Sequence, residues 1–335
     1  ASNFSEGNAG EVIILLGEGN LSLLGGSEIL TNAFNGEGGD IFIEARSVLL
    51  TEDSSLGGVS SDEGEGAGNI TIQEAESVTL DRGSRINVFS SGAGAGGNIE
   101  IETQELNVLN GSRLNAFVIS SGSAGSIVIN ASESVEVSGS IEEIPGVFSV
   151  SGLSLDTLGD GNAGDLIIDT KTLILQDGGE ISSFTGGSGN GGTIVLNASD
   201  SIALSGITPD TLNASQITTD TGDEGNAGTI SINTGHFSLR DGARVSSLTV
   251  LSSSGRGGSI EIQADEIEIV GIRGETIFPT SLETQSGGSG DAGNIELISD
   301  QLSVREGGLI SASTFNIGNG GIIEITARES VEITG

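Results

Sequence analysis

At 335 residues the chain is long enough for two or three ordinary domains, yet 56 Gly against 3 Pro, with no Cys, Met, Trp or Tyr, describe regular turns rather than a mixed globular, collagen-like or disordered chain. Forty-seven acidic against 11 basic residues leave a net charge of −36, which disfavours nucleic acid and anionic lipid, since both need a basic surface. The lack of cysteine removes a disulfide framework and a thiolate catalyst, and no apolar run approaches the ~18–20 residues of a membrane helix.

The first residues, Ala1-Ser2-Asn3-Phe4-Ser5-Glu6, are polar, show no signal-peptide pattern and lead at once into a repeat. A glycine precedes each apolar alternation, at Gly10, Gly39, Gly68, Gly97, Gly125, Gly164, Gly192, Gly228, Gly258, Gly293 and Gly321. The first intervals are 29 residues; from Gly125 onward long and short intervals alternate, giving a doublet of 63 to 67 residues. A fixed period in this range is the mark of an array.

Each unit holds three apolar runs. The first alternates, as in Ile70-Thr71-Ile72 or Ile260-Glu261-Ile262, and the second is of the kind Val78-Thr79-Leu80 or Leu173-Ile174-Leu175. The third follows a small turn, as in Arg85-Ile86-Asn87-Val88 or Arg244-Val245-Ser246. Period-2 patterning in β-branched residues predicts strands with one buried face, and no segment sustains a helical period. Three short strands per turn of roughly 28 residues predict an all-β, right-handed, three-sided parallel β-helix. About eleven rungs stacked ~4.8 Å apart would give a rod of roughly 50 Å, as one solenoid domain over residues 1–335. Asn110-Gly111, Asp177-Gly178 and Asp241-Gly242 supply turn positions with positive φ. The Gly-Asn-Ala-Gly and Gly-Asn-Gly-Gly corners call for small residues because neighbouring rungs crowd there.

Three longer intervals, at 140–160, 207–224 and 272–290, carry all three prolines, Pro145, Pro209 and Pro279. Insertions in a solenoid collect at one corner and often form the binding face. Each is expected to close its rung with a third strand, such as Val147-Phe148-Ser149-Val150 or Ser215-Gln216-Ile217-Thr218. Phe34, Phe89, Phe117, Phe184 and Phe315 fall near the end of the third strand, Phe148 and Phe278 in the insertions and Phe237 in the second strand; the role expected for them is stacking in the core.

The chemical motifs are weak. Gly92–Gly97 and Gly187–Gly192 fit GxGxxG, but a strand follows where a dinucleotide site needs a helix. Gly287-Gly288-Ser289-Gly290-Asp291 sets its aspartate one place early for a calcium nonapeptide. The acidic corners Asp62-Glu63-Glu65 and Asp220-Asp223-Glu224 offer oxygen ligands to calcium or are plain solvated corners. Glu142-Glu143 and Asp223-Glu224 are adjacent pairs, which strand alternation would not aim at one point, and His236 takes an ordinary outward place. The chain reads as a non-enzyme: no residue is assigned a catalytic, cofactor-binding or metal-binding role, and calcium is the one cofactor left open.

The repeat text Gly-Asn-Ala-Gly-x-(Leu/Ile)-x-Ile, x-Leu-x-Leu-x-Asp-Gly-(Ala/Gly)-x-(Ile/Val)-Ser-Ser, then Gly-Asn-Gly-Gly-x-Ile, clearest over 161–206, 225–271 and 290–335, resembles the repeats of cyanobacterial filamentous-haemagglutinin-type exoproteins. The resemblance implies a right-handed parallel β-helix, extracellular or at the cell surface, exported through an outer-membrane transporter by two-partner secretion, and serving as an adhesin or surface structure. No Asn-Pro dipeptide of that family's secretion domain occurs. The expected partners are further rungs or other copies of the protein end to end, surface glycans and the transporter, without nucleic acid or membrane insertion. Neither end shows a cap, and 330–335 stops mid-rung, so the chain is expected to be a segment of a longer polypeptide or, alternatively, a fibre protomer. Two further readings stay open: a polysaccharide-binding or polysaccharide-cleaving β-helix module, recognisable by a groove of carboxylates and an arginine such as Arg273 between the insertions, and a calcium-dependent surface-layer protein.

Overall fold

A computed structural model describes the backbone of residues 2–3 and residues 7–34, 36–60, 66–208, 211–250, 253–272 and 279–335. Asp62, Glu63, Glu65, Pro209, Arg273 and Phe278 lie outside the described residues. The chain is a parallel β-solenoid: two 11-stranded parallel sheets run side by side along the described residues, which contain no helix. None is therefore long and apolar enough to cross a membrane.

The period-2 runs account for the long strands, but in a different division from three strands per rung. The first and second runs form one strand, as in Ile70–Leu80, Ile127–Ser138 or Thr229–Arg240. Each is bent at a small inward residue. In Ile70–Leu80 the buried positions are Ile70, Ile72, Ala75, Val78 and Leu80, so alternation holds on either side of Ala75 and breaks at it. Glu74, beside it, has φ 58°. Most pairings between neighbouring long strands slip at this corner, for example between Thr170 and Thr172. Two sides of the rung are thus one hydrogen-bonded ladder folded over an Ala/Thr/Ser column. The third run makes the second sheet of shorter strands, among them Arg85–Ser90, Arg113–Val118, Glu180–Ser182 and Arg244–Thr249.

The core follows from register. Ile43, Ile72, Ile101, Ile129, Ile168 and Leu196 are paired rung to rung, and all six are 0% exposed. Removing any one would cost the transfer energy of the side chain and leave a cavity bounded by identical neighbours, about 2–5 kcal/mol for an Ile→Ala change. The interior next to the glycine corners is polar instead. Buried Thr157, Thr185 and Thr221 donate their hydroxyls to the carbonyls of Asn162 (3.1 Å), Asn190 (2.8 Å) and Gly225 (3.0 Å). The carbonyls of Asn162 and Asn190 also take the N–H of Ala124 (3.0 Å) and Ala163 (2.9 Å) of the preceding rung, so the hydroxyls add a second bond there.

The glycine corners are crowded as expected. A Cβ built on Gly68, Gly97, Gly125, Gly164, Gly192, Gly228, Gly258 or Gly293 would sit inside the carbonyl oxygen of the preceding glycine of the column. The turns also hold: Asn110, Asp177 and Asp241 have φ of 51°, 51° and 56°, and the glycine after each is positive too. Beside the glycines runs an unforeseen ladder. Asn162 Oδ1 accepts the N–H of Asn190 at 2.9 Å, Asn190 Oδ1 that of Asn226 at 3.0 Å, and Asn226 Oδ1 that of Arg256 at 2.9 Å.

Two expectations are corrected. Val147–Val150 is not a rung strand: it pairs antiparallel with Ser140–Ile144 in a hairpin outside the rung, and Gly152–Ser154 closes the rung. Gln216–Thr218 does serve as the short strand of its rung. Nor do most phenylalanines stack in the core. Phe34 and Phe315 are exposed, Phe89, Phe117 and Phe184 half-buried on the outer face. Phe89 stacks on Phe117 at 5.7 Å. Parity decides this: Ile86 and Val88 point inward, so Phe89 points out. Phe237 is in the core, between Ile202 and Ile267.

Candidate functional site

The described parts of the insertions leave the rungs at one corner, after the long strand and before the short one. A buried hydroxyl anchors each of them in the same way. Ser151, Ser215 and Thr280 accept the N–H of the turn glycines Gly111 (2.9 Å), Gly178 (3.1 Å) and Gly242 (2.9 Å) of the preceding rung. The hairpin is further held by Arg85 Nη2, which donates to Glu143 Oε1 at 2.7 Å. The insertions therefore flank the outer face of the short-strand sheet.

That face carries two charged columns. The first is a chain of hydrogen bonds along the rod axis. Arg113 Nη2 donates to Glu180 Oε2 at 2.6 Å, Gln216 Nε2 to Glu180 Oε1 at 2.8 Å, and Arg244 Nη2 to Gln216 Oε1 at 2.9 Å. Arg113 and Glu180 belong to rungs that are not adjacent, and Gly152 lies between them. A Cβ at Gly152 would come within 3.1 Å of Arg113 Nη2, so the glycine leaves the space in which the guanidinium crosses. The pair is mostly shielded, with side-chain exposures of 28% and 18%, which strengthens it relative to a surface ion pair.

The second column holds Phe117, Asp156, Phe184, Asp220 and Leu248, placed by the parallel bridges that link Val118, Thr157, Thr185, Thr221 and Thr249. Asp156 accepts from the hydroxyls of Ser154 and Ser182 and from the N–H of Phe184. Burial pushes its pKa up against those three bonds. Burial raises Asp220 too, to about 7, although Arg244 and the N–H of Leu248 pull it down.

A groove of about 370 Å³ lies between the second and third insertions, floored by Gln216, Arg244, Ser281 and Glu283 and edged by Asn213 and Pro279. Polar atoms on this face are left without partners: Arg113 Nε, Arg244 Nε, Ser246 Oγ and Ser281 Oγ are all buried and unbonded. A wider trough of about 540 Å³ follows the corner of the long strands past Glu74, Glu102 and Asp169, and is an open surface of repeating polar side chains.

The residues singled out in the sequence are mostly kept apart. Glu142 accepts the N–H of Gly146 and Glu143 turns to Arg85 and Ser149, so the adjacent pair diverges. Asp220 sits half-buried on the sheet while Asp223 and Glu224 are exposed in the next turn. Among the described residues no group of three His, Asp or Glu side chains gathers as a metal set. His236 Nδ1 is 3.3 Å from Glu266 on the next rung, as an outward cross-strand pair. The groove residues Gln216, Arg244, Ser281 and Glu283 were not foreseen as a group. Their common signal is outward parity beside an insertion.

No protein family, curated protein or solved structure matches this chain.

Proposed function

We propose that this solenoid is part of an extracellular structural and adhesive rod, a segment of a large secreted surface or filament protein of the filamentous-haemagglutinin type. It spans distance and presents the insertion-flanked face for contact with cell surface or matrix. The observation that carries this reading is the uninterrupted parallel ladder, in which each rung pairs only with the rungs before and after it while the insertions gather on one side. Such stacking makes length the property of the fold. The acidic exterior keeps the exposed faces of neighbouring rods apart. Antibody against the chain should label intact, unpermeabilised cells or their shed filaments; labelling confined to the cytosol would count against the reading.

A second reading, a polysaccharide-binding or polysaccharide-cleaving module, is favoured by the Arg113–Glu180–Gln216–Arg244 track between the insertions. Turnover of a glycan that is lost on replacing Asp220 or Glu180 would place cleavage above structure.

A further inference from the structure

We infer that the groove over Gln216, Arg244, Ser281 and Glu283 is a binding site for a neutral glycan, taking a short stretch of oligosaccharide across the outer face of the short-strand sheet. This deepens the contact-face part of the reading above and does not depend on where the rod stands.

The groove has the volume of a small-ligand pocket, and its described walls come from two insertions fixed by buried hydroxyls. Its floor is incomplete as a hydrogen-bonded surface. Ser281 is 1% exposed and its hydroxyl has no partner; Arg244 Nε–H is likewise buried and unbonded. Ser246, 0% exposed on the same outer face, repeats the pattern. Buried polar atoms are nearly always bonded, so two unmet ones, Ser281 Oγ and Arg244 Nε, in the lining of a single groove point to a partner from outside the chain.

The chemistry of the floor selects that partner. Glu283 only accepts, Arg244 only donates, and Ser281 and Gln216 do both. A matching ligand presents donors and acceptors on neighbouring atoms, as the vicinal hydroxyls of a sugar ring do. A sulfate has no donor for Glu283, and any anionic ligand, a phosphate or a uronate included, brings a charge that meets Glu180, Asp220 and a net charge of −36. An ammonium group would leave the Arg244 donor unmet. Ala214 and Pro279 at the edge supply apolar surface for the C–H face of a ring.

The test is titration of the purified chain against short neutral oligosaccharides (gluco-, galacto-, manno- and xylo-series) beside oligogalacturonate and a sulfated oligosaccharide. At least one neutral series should bind. Arg244→Lys, Glu283→Gln and Ser281→Ala should each weaken it at least about tenfold. Ser281→Ala removes a single oxygen, so its melting curve should match the parent, and Arg328→Gln on another face should leave binding unchanged. The inference is overturned if no neutral series binds, if only the anionic probes bind, or if binding ignores all three groove substitutions. Surface labelling of cells would be unaffected by any of these results, so the rod reading stands or falls separately.

Discussion

Asp156 Oδ1 accepts the backbone N–H of Phe184 on the next rung at 3.0 Å. The alternation of the parallel ladder assigns that N–H to the carbonyl of Leu155, but Leu155 O has turned inward to take the N–H of Gly164 at 3.2 Å. Asp220 repeats the arrangement: its Oδ1 takes the N–H of Leu248 at 3.1 Å while Thr219 O takes that of Gly228 at 3.0 Å. A side chain thus replaces a main-chain acceptor where the short strand ends early, at Ser154 and at Thr218. Asp156→Ala should cost on the order of 1–3 kcal/mol, because the Phe184 N–H loses its acceptor. Asp156→Asn, which keeps an oxygen in place, should cost clearly less. Urea unfolding of both variants, with hydrogen exchange at the Phe184 amide, makes the comparison.

The same two carboxyls set a pH dependence. Folding raises the pKa of Asp220 from 3.8 to about 7 and that of Asp156 in the same direction, so the folded state holds these protons more tightly than the unfolded chain. The folded state therefore bears no penalty from Asp220 below pH ~4, a growing one as pH climbs toward 7, and the whole of it above. Asp220→Asn keeps an acceptor for Leu248 and removes the charge. Its melting temperature should match the parent near pH 4 and exceed it increasingly up to pH 8. A constant difference across that range would contradict the assignment.

Substitutions in the glycine column should be among the most damaging in the chain. Gly228→Ala drives a methyl group into the backbone of Gly192, with Cβ of Thr219 also only 3.0 Å away. A loss of about 3 kcal/mol or more is expected. Gly222→Ala, whose methyl would meet Gly186 O at 3.2 Å and the edge of Phe184, should cost much less. Denaturation midpoints of the two proteins measure the contrast.

The asparagine ladder predicts a milder, graded effect. Asn190→Ala removes the acceptor of the Asn226 N–H, an exposed group that water can serve, so about 0.5–1.5 kcal/mol should be lost. Asn190→Asp keeps the acceptor and should recover most of it, as Asp291 does for the N–H of Asn319 at 2.7 Å. The bonds from Asn319 hold the Asp291 carboxyl below its usual range, which marks this ladder position as one that favours the charged form.

The repeat was legible because its determinants are local. Ile70 and Ile72 announce an inward face within three residues, and Gly192 and Gly228 mark a corner by their place in the period. Phe89 was legible too, had its parity against Ile86 been followed rather than its size. The site was not, because its meaning lies between rungs. Glu180 reads as a solvated charge until Arg113 is seen to reach it over Gly152. Asp220 reads as one of three acids in a loop until its neighbours are Phe184 and Leu248. The insertions add to the difficulty, since the second one lengthens its rung between Gly206 and Ser215, which the structure joins through the Ile207–Ala214 bridge and the Ser215 N–H on Gly206 O at 3.0 Å.

The most direct test of the account is the length of a shortened rod. Deleting residues 165–228 removes two rungs and joins Gly164 to Thr229 at equivalent places in the repeat. Small-angle X-ray scattering of the purified protein should show the long dimension reduced by ~10 Å, with the cross-section unchanged and the β circular-dichroism signal per residue preserved. Loss of the β signal, or a change in cross-section at unchanged length, would contradict a solenoid whose rungs depend only on their neighbours.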